Sequence, residues 1–226
     1  SLIGKQIGDF KVNAFHNGNI TEVSKESTLG KWSLFFFYPA DFTFVCPTEL
    51  EDLANNYEKF QAAGAEVYSV SCDTEFVHKA WHEESERISK VTYPMLADPA
   101  HVLARNFEVL IEDAGLAERG AFIVDPEGVI QVELVTAGGI GRNAEELLRL
   151  LQARKILAKI SASSVFPSLQ IHGIFPLRRT DNPKQVLFVL LFSAAYAASL
   201  WLYFIFPPGK HPSVSIDSMK MLFEKD

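Results

Sequence analysis

The chain has 226 residues, 48% of them hydrophobic, enough to bury the core of one ordinary domain. The charge is unevenly divided: residues 1–150 carry 12 Lys/Arg against 24 Asp/Glu, and residues 151–226 carry 9 against 4. An acidic first part excludes a nucleic-acid partner, which would need clustered positive charge. Two cysteines in a chain of this length exclude a disulfide scaffold and point to a reducing compartment, so a cytoplasmic location is expected. The opening residues lack a basic segment followed by an apolar one, so no signal peptide is expected.

Residues 1–30 read as short strands and turns, with Asn17-Gly18-Asn19 as a turn. Lys31 to Tyr38 is dominated by aromatic and apolar residues and predicts a strand buried on both faces. Pro39 stops it. Ala40, Asp41 and Phe42 carry the chain through a short loop to Thr43, Cys46 and Pro47. Leu50, Leu53, Tyr57 and Phe60 then recur at helical spacing and predict a helix over Thr48–Ala63, with Gly64 at its C′ position. Further on, the pattern predicts a strand over Ala65–Cys72 and helices over Phe76–Ile88 and Pro99–Phe107. A hairpin of Gly120–Asp125 with Val129–Val135 follows, and then a helix from an Asn143 cap to about Ile160. Strands alternating with helices predict an α/β fold with a mixed central sheet and helices on both faces, a thioredoxin-like core over residues 1–160.

The stretch Leu34–Leu50 sets a thiol where a buried strand hands over to a helix N-terminus. Backbone N–H donors point out there, and cysteines ionise more readily than a free thiol. Position 49 is Glu rather than Cys, so the spacing is that of a single nucleophile and not of a dithiol exchanger. The alternative is a buried, inert cysteine.

Residues 36–49, Phe-Phe-Tyr-Pro-Ala-Asp-Phe-Thr-Phe-Val-Cys-Pro-Thr-Glu, closely resemble the active-site motif of the peroxiredoxins, in particular the two-cysteine, alkyl-hydroperoxide-reducing type. The likeness runs from residue 1 to roughly 155. It takes in Asp73–His82, Asp98-Pro99, Arg105–Phe107, Gly115–Arg119 and Phe122–Pro126. The resemblance implies a thiol-dependent peroxidase in which Cys46 attacks the peroxide O–O bond and becomes a sulfenic acid. It further implies that Thr43 offers its hydroxyl to thiolate and peroxide, that Pro39 shields the site, that Arg119 stands near the thiolate, and that Glu49 orients Arg119. Trp81 is assigned to pocket packing. No bound cofactor or metal is expected. Reducing equivalents would come from an NADH-dependent flavoprotein disulfide reductase or another thiol reductant, and the chain would form homodimers, assembling into decamers. The rival from another class is a ring-forming chaperone or a membrane-tethered redox sensor without efficient turnover.

Two further features are weaker. His78 and His82 have the i, i+4 spacing of a zinc pair, but no third ligand sits at fitting spacing, so a solvated helical face is expected. Gly138-Gly139-Ile140-Gly141 reads as a turn ahead of the Asn143 cap and not as a phosphate loop.

The tail departs from the family. Residues 161–226 do not resemble it, and there is no cysteine after Cys72, where a resolving cysteine would be expected; position 166, in a Val-x-Pro context, is Phe. Three explanations stay open: a reading-frame error in the tail, a one-cysteine enzyme resolved by an external thiol, or resolution by Cys72, against which stands a packed strand position. Residues 186–206 carry no charge over 21 positions, long enough to cross a bilayer, with Arg178, Arg179 and Lys184 before them and Trp201 and Tyr203 near the far end. A membrane tether through 186–206 and a buried helix are the two readings.

Overall fold

A computed structural model describes residues 1–162; all of the expected non-family tail beyond residue 162, including the hydrophobic segment 186–206, lies outside the described residues. The chain opens with a hairpin, β1 (Lys11–His16) and β2 (Asn19–Ser24), closed at Asn17 and Gly18, both with positive φ. A single helical turn, α1 (Lys25–Thr28), leads to β3 (Trp32–Phe37), in which every residue is buried. Then come α2 (Cys46–Ala62), β4 (Ala65–Ser71), α3 (Glu75–Glu84), β5 (Met95–Ala97) and α4 (Val102–Asn106). A two-stranded ribbon, β6 (Leu110–Ile111) with β7 (Leu116–Ala117), precedes β8 (Arg119–Val124), β9 (Ile130–Thr136) and α5 (Ala144–Ala162).

Seven strands form one sheet in the order β2-β1-β5-β4-β3-β8-β9. β3, β4 and β5 run parallel, while β8 is antiparallel to β3 and β9 to β8. Alternation along β3 explains why its run of aromatics is buried throughout. Leu34 and Phe36 face a core with Leu50, Leu53 and Phe60 of α2 and Leu147 and Leu151 of α5. Phe35 and Phe37 face the opposite core, with Leu103 of α4, Phe107 and Phe122. This is the thioredoxin-like mixed sheet with helices on both faces that the sequence predicts.

Boundaries moved where side chains override period. Helix α2 begins at Cys46, two residues before the predicted start, because proline is tolerated in a first helical turn. It ends as expected: the Gly64 N–H donates to the Gln61 carbonyl at φ +71°. Helix α3 stops at Glu84 instead of Ile88, where Ser85 turns extended and a short 3₁₀ turn follows at Ile88–Lys90. Helix α4 is shorter than predicted, because residues 98–101 form a turn whose buried Asp98 carboxylate accepts from the Leu103 and Ala104 N–H groups. Asn143 caps α5 as read from sequence, its Oδ1 accepting from the Glu146 N–H at 2.9 Å.

Candidate active site

Cys46 occupies the first position of α2 and its side chain is fully buried, packed in the core that contains Phe36 and Leu50. Glu49, one turn on, lies on the same face of the helix and is also buried. Arg119 enters from β8: its Nη1 lies 3.5 Å from the Cys46 Sγ and donates to Glu49 Oε2 at 2.5 Å, while its Nε donates to the Gly138 carbonyl at 2.6 Å. The Gly138 carbonyl aims the arginine.

A second arginine completes the group. Arg142, in the loop before α5, donates its backbone N–H and its Nε to Glu49 Oε1 at 2.7 and 2.9 Å, and its Nη2 to Oε2 at 3.2 Å. Its Nη1 donates to the Gly120 carbonyl at 2.6 Å, and its guanidinium carbon stands 3.5 Å from the centre of the Phe36 ring. Burial lowers the Arg142 pKa from its ordinary value and the Glu49 carboxylate opposes that shift, so the guanidinium stays charged. The cluster therefore holds two cations and one carboxylate. A buried charge is costly unless paired, and this cluster carries one positive charge in excess.

The loop that delivers Cys46 is fastened from beneath. Asp41 Oδ1 accepts the Tyr38 hydroxyl at 2.7 Å, its Oδ2 meets His78 Nδ1 at 2.7 Å, and its backbone N–H donates to Asp73 at 2.9 Å. His78 Nε2 meets the Leu96 carbonyl at 3.1 Å. Both ring nitrogens thus face acceptors, and only the imidazolium can donate to both. Burial pushes the His78 pKa down, but the Asp41 carboxylate and the Leu96 carbonyl outweigh it, and the net direction is up. The expectation of a solvated His78 face is corrected: the residue is fully buried, because α3 turns it toward the loop and β5 rather than outward. His82 meets the Val91 carbonyl and packs against Phe15, so neither histidine is a free ligand. Trp81 packs between Tyr38 and Phe42, as expected for pocket packing.

Thr43 is placed differently from the expectation. It is exposed and its Oγ1 donates to the Ala40 carbonyl at 3.0 Å; no hydrogen bond joins it to Cys46. The tight loop, with Phe42 at φ +55°, brings Ala40 and Thr43 together and commits the hydroxyl proton locally. Pro39 is half-buried directly after Tyr38, at the end of the strand and without an N–H to donate. Cys72 follows β4 and packs against the opposite core; burial, then Asp98 and Asp73, push its thiol up to about 12.

The model of the AhpC/TSA family matches residues 3–133. The chain belongs to the AhpC/TSA family. It is similar to the alkyl hydroperoxide reductase C of Bacillus subtilis (strain 168), 56% identical over 153 residues that cover 68% of this chain and 82% of that protein. Among solved structures it is similar to Enterococcus faecalis AhpC, with a TM-score of 0.71 and 53% identity, covering 72% of this chain and 98% of that one. It is also similar to the reduced 2-Cys peroxiredoxin of Plasmodium vivax, with a TM-score of 0.68 and 29% identity, covering 71% and 86%. This AhpC/TSA-family chain is a peroxiredoxin and a thiol-dependent peroxidase; nothing in its relatives supports the chaperone or sensor rival.

Two elements of this peroxiredoxin's site were missed from sequence. Arg142 lies beside a glycine-rich turn and looks like a loop arginine; only its distance of 93 residues to Glu49, closed by the fold, reveals it. Asp41 and His78 are 37 apart and share no local pattern. Among the described residues no helix is long and apolar enough to cross a membrane.

Proposed function

We propose that Cys46 is the peroxidatic nucleophile and that its substrates are hydrogen peroxide and small alkyl hydroperoxides. The observation that carries this is the Arg119 guanidinium, 3.5 Å from a fully buried sulfur inside a cluster short of one negative charge. The thiolate attacks one peroxide oxygen, the O–O bond breaks, and the departing alkoxide or hydroxide takes up a proton to leave as alcohol or water. The sulfur retains the other oxygen as sulfenic acid. Negative charge moves from sulfur to the departing oxygen along this path, and a fixed guanidinium stabilises it at both ends without reorganising.

Glu49 and the Gly138 carbonyl position Arg119. Arg142 positions Glu49. Thr43 keeps its oxygen lone pairs free to accept from an incoming peroxide while its proton is held by Ala40, and Pro39 walls the strand end of the site. Reducing equivalents come from an NADH-dependent flavoprotein disulfide reductase or another thiol reductant. The working unit is a homodimer or a decamer of the cytoplasm. The name of the Bacillus relative, alkyl hydroperoxide reductase C, supports the substrate class.

The test is a single equivalent of peroxide added to the reduced protein, with a sulfenic-acid trap and peptide mapping. Label at Cys46, absent in Cys46→Ser, is the expected result. Label confined to Cys72, or peroxide consumption undiminished in Cys46→Ser, overturns the assignment.

A further inference from the structure

We propose that Asp52 is a positioning residue for the peroxide step, holding the loop that carries Arg142 and the Gly138 carbonyl against the site. This rests on the assignment of Cys46 made above.

The loop between β9 and α5, residues 137–143, supplies two of the groups that keep Arg119 and Glu49 in place. Its Gly138 carbonyl accepts from Arg119 Nε, and its Arg142 donates to Glu49. Little within the loop fixes it. Residues 137–141 are exposed, positions 138, 139 and 141 are glycine, and a Cβ at 138 or 139 would meet nothing within 4 Å. Glycine has more backbone freedom to lose on folding than any other residue, so the loop takes its place from its two ends.

At the entry, Thr136 pairs with Arg119 across β9 and β8, and its Oγ1 donates to the Ile140 carbonyl at 2.9 Å. At the exit the hold comes from α2. Glu49 and Asp52 stand three residues apart, on one face of that helix. Glu49 Oε1 accepts the Arg142 N–H at 2.7 Å, and Asp52 Oδ2 accepts the Ala144 N–H at 2.8 Å. Two carboxylates thus grip alternate N–H groups of one short stretch. Asp52 is itself aimed by Asn56, whose Nδ2 donates to its Oδ1 at 3.2 Å and to its backbone carbonyl at 2.9 Å.

Ala144 is the first residue of α5 and is buried in the core that holds Cys46. Its N–H has no acceptor within the helix, and burial makes it depend on Asp52. An acidic side chain also suits the positive end of a helix. Without Asp52 the start of α5 and the adjacent Arg142 drift from Glu49, and Arg119 loses part of its aim. No hydrogen bond joins Asp52 to Cys46 or Arg119, so it acts through Arg142 and Glu49.

The experiment measures, on the full chain, the second-order rate constant for oxidation of reduced Cys46 by hydrogen peroxide in a competition assay. Removing a donor outright costs about 10²–10³ in rate and loosening one costs less, so Asp52→Ala is expected to slow oxidation about 10-fold. Asp52→Asn keeps an acceptor oxygen and recovers the rate to within about 2-fold of wild type. Asn143→Ala removes the other side-chain cap of α5, the bond from the Glu146 N–H; it lowers Tm but leaves the rate within about 2-fold. In an Arg142→Met background, Asp52→Ala adds little, because the residue it acts through is gone. An unchanged rate in Asp52→Ala, no recovery in Asp52→Asn, an equal loss in Asn143→Ala, or a full further loss on Arg142→Met overturns the inference and leaves the assignment of Cys46 intact. If Asp52→Ala does not fold by circular dichroism, Asp52→Ser, whose oxygen stops one bond short of the Ala144 N–H, carries the same expectation. A wild-type chain whose Cys46 is not oxidised removes that assignment, and the inference falls with it.

Discussion

Replacing Glu49 by Gln isolates the charge at the centre of the site with almost no change of shape. The carboxylate accepts four hydrogen bonds, one from Arg119 and three from Arg142 including its backbone N–H, and all three residues are buried. Gln retains one acceptor oxygen and turns an NH₂ group toward a guanidinium, so two buried cations lose their shared counter-ion. Breaking a buried pair in this way costs about 3–5 kcal/mol. Against a net stability of roughly 5–15 kcal/mol that is a large fraction. At about 2–4 °C per kcal/mol for a domain of this size, Tm should fall by roughly 6–20 °C. Thermal unfolding followed by circular dichroism measures it. Adding Arg142→Met to Glu49→Gln removes the second cation, and the double variant should be more stable than the sum of the single losses by on the order of 1–3 kcal/mol. A Glu49→Gln shift below about 2 °C, or strict additivity, would refute the buried-charge reasoning.

Three other outcomes follow from the same geometry. Arg119→Lys cannot reach Gly138, Glu49 and the sulfur at once, and should lower the second-order rate constant for Cys46 oxidation by about 10²–10³ in a competition assay; an unchanged rate removes Arg119 from the reaction. The raised His78 pKa adds stability that is fully present below the unfolded value of about 6.5 and is lost as pH rises through the higher folded value. Urea midpoints should therefore decline across that window in the wild type and less in His78→Gln; parallel profiles contradict the imidazolium–Asp41 pair. At Gly120 an added Cβ would lie 2.8 Å from the Phe122 ring and 2.9 Å from Val109, both in the packed core, so Gly120→Ala should cost about 1–3 kcal/mol by chemical denaturation, and a neutral result would show that this part of the core yields.

What the sequence disclosed, it disclosed locally. The apolar run of β3, the helical spacing of α2 and the Asn143 cap each depend on neighbours within a few residues, and each forms where expected. The loop motif pointed to Cys46 by itself, but Arg119 was visible only through the resemblance of the surrounding blocks. Arg142 and the Asp41–His78 pair escaped because their partners are distant in the chain and neither carries a period. His78 shows the hazard well: an i, i+4 histidine pair on a half-polar helix reads as a wet face, and only the packing of α3 over the loop turns one of the two inward. Thr43 differs because its hydroxyl proton is held three residues back, by the Ala40 carbonyl.

The span of chain that separates Cys46 from its arginines has a consequence for the birth of the protein. Arg119 lies 73 residues beyond the thiol and Arg142 lies 93 beyond Glu49. During synthesis α2 emerges long before either, so Arg119 cannot meet the sulfur, nor Arg142 meet Glu49, until β8 has joined β3 and α5 has docked on α2. Such long-range closures come late, because their loop entropy must be overcome before contacts reward it. A half-made or misfolded chain therefore carries Cys46 without its guanidinium neighbour, and the pairing of sulfur with Arg119 exists only in molecules that have finished folding.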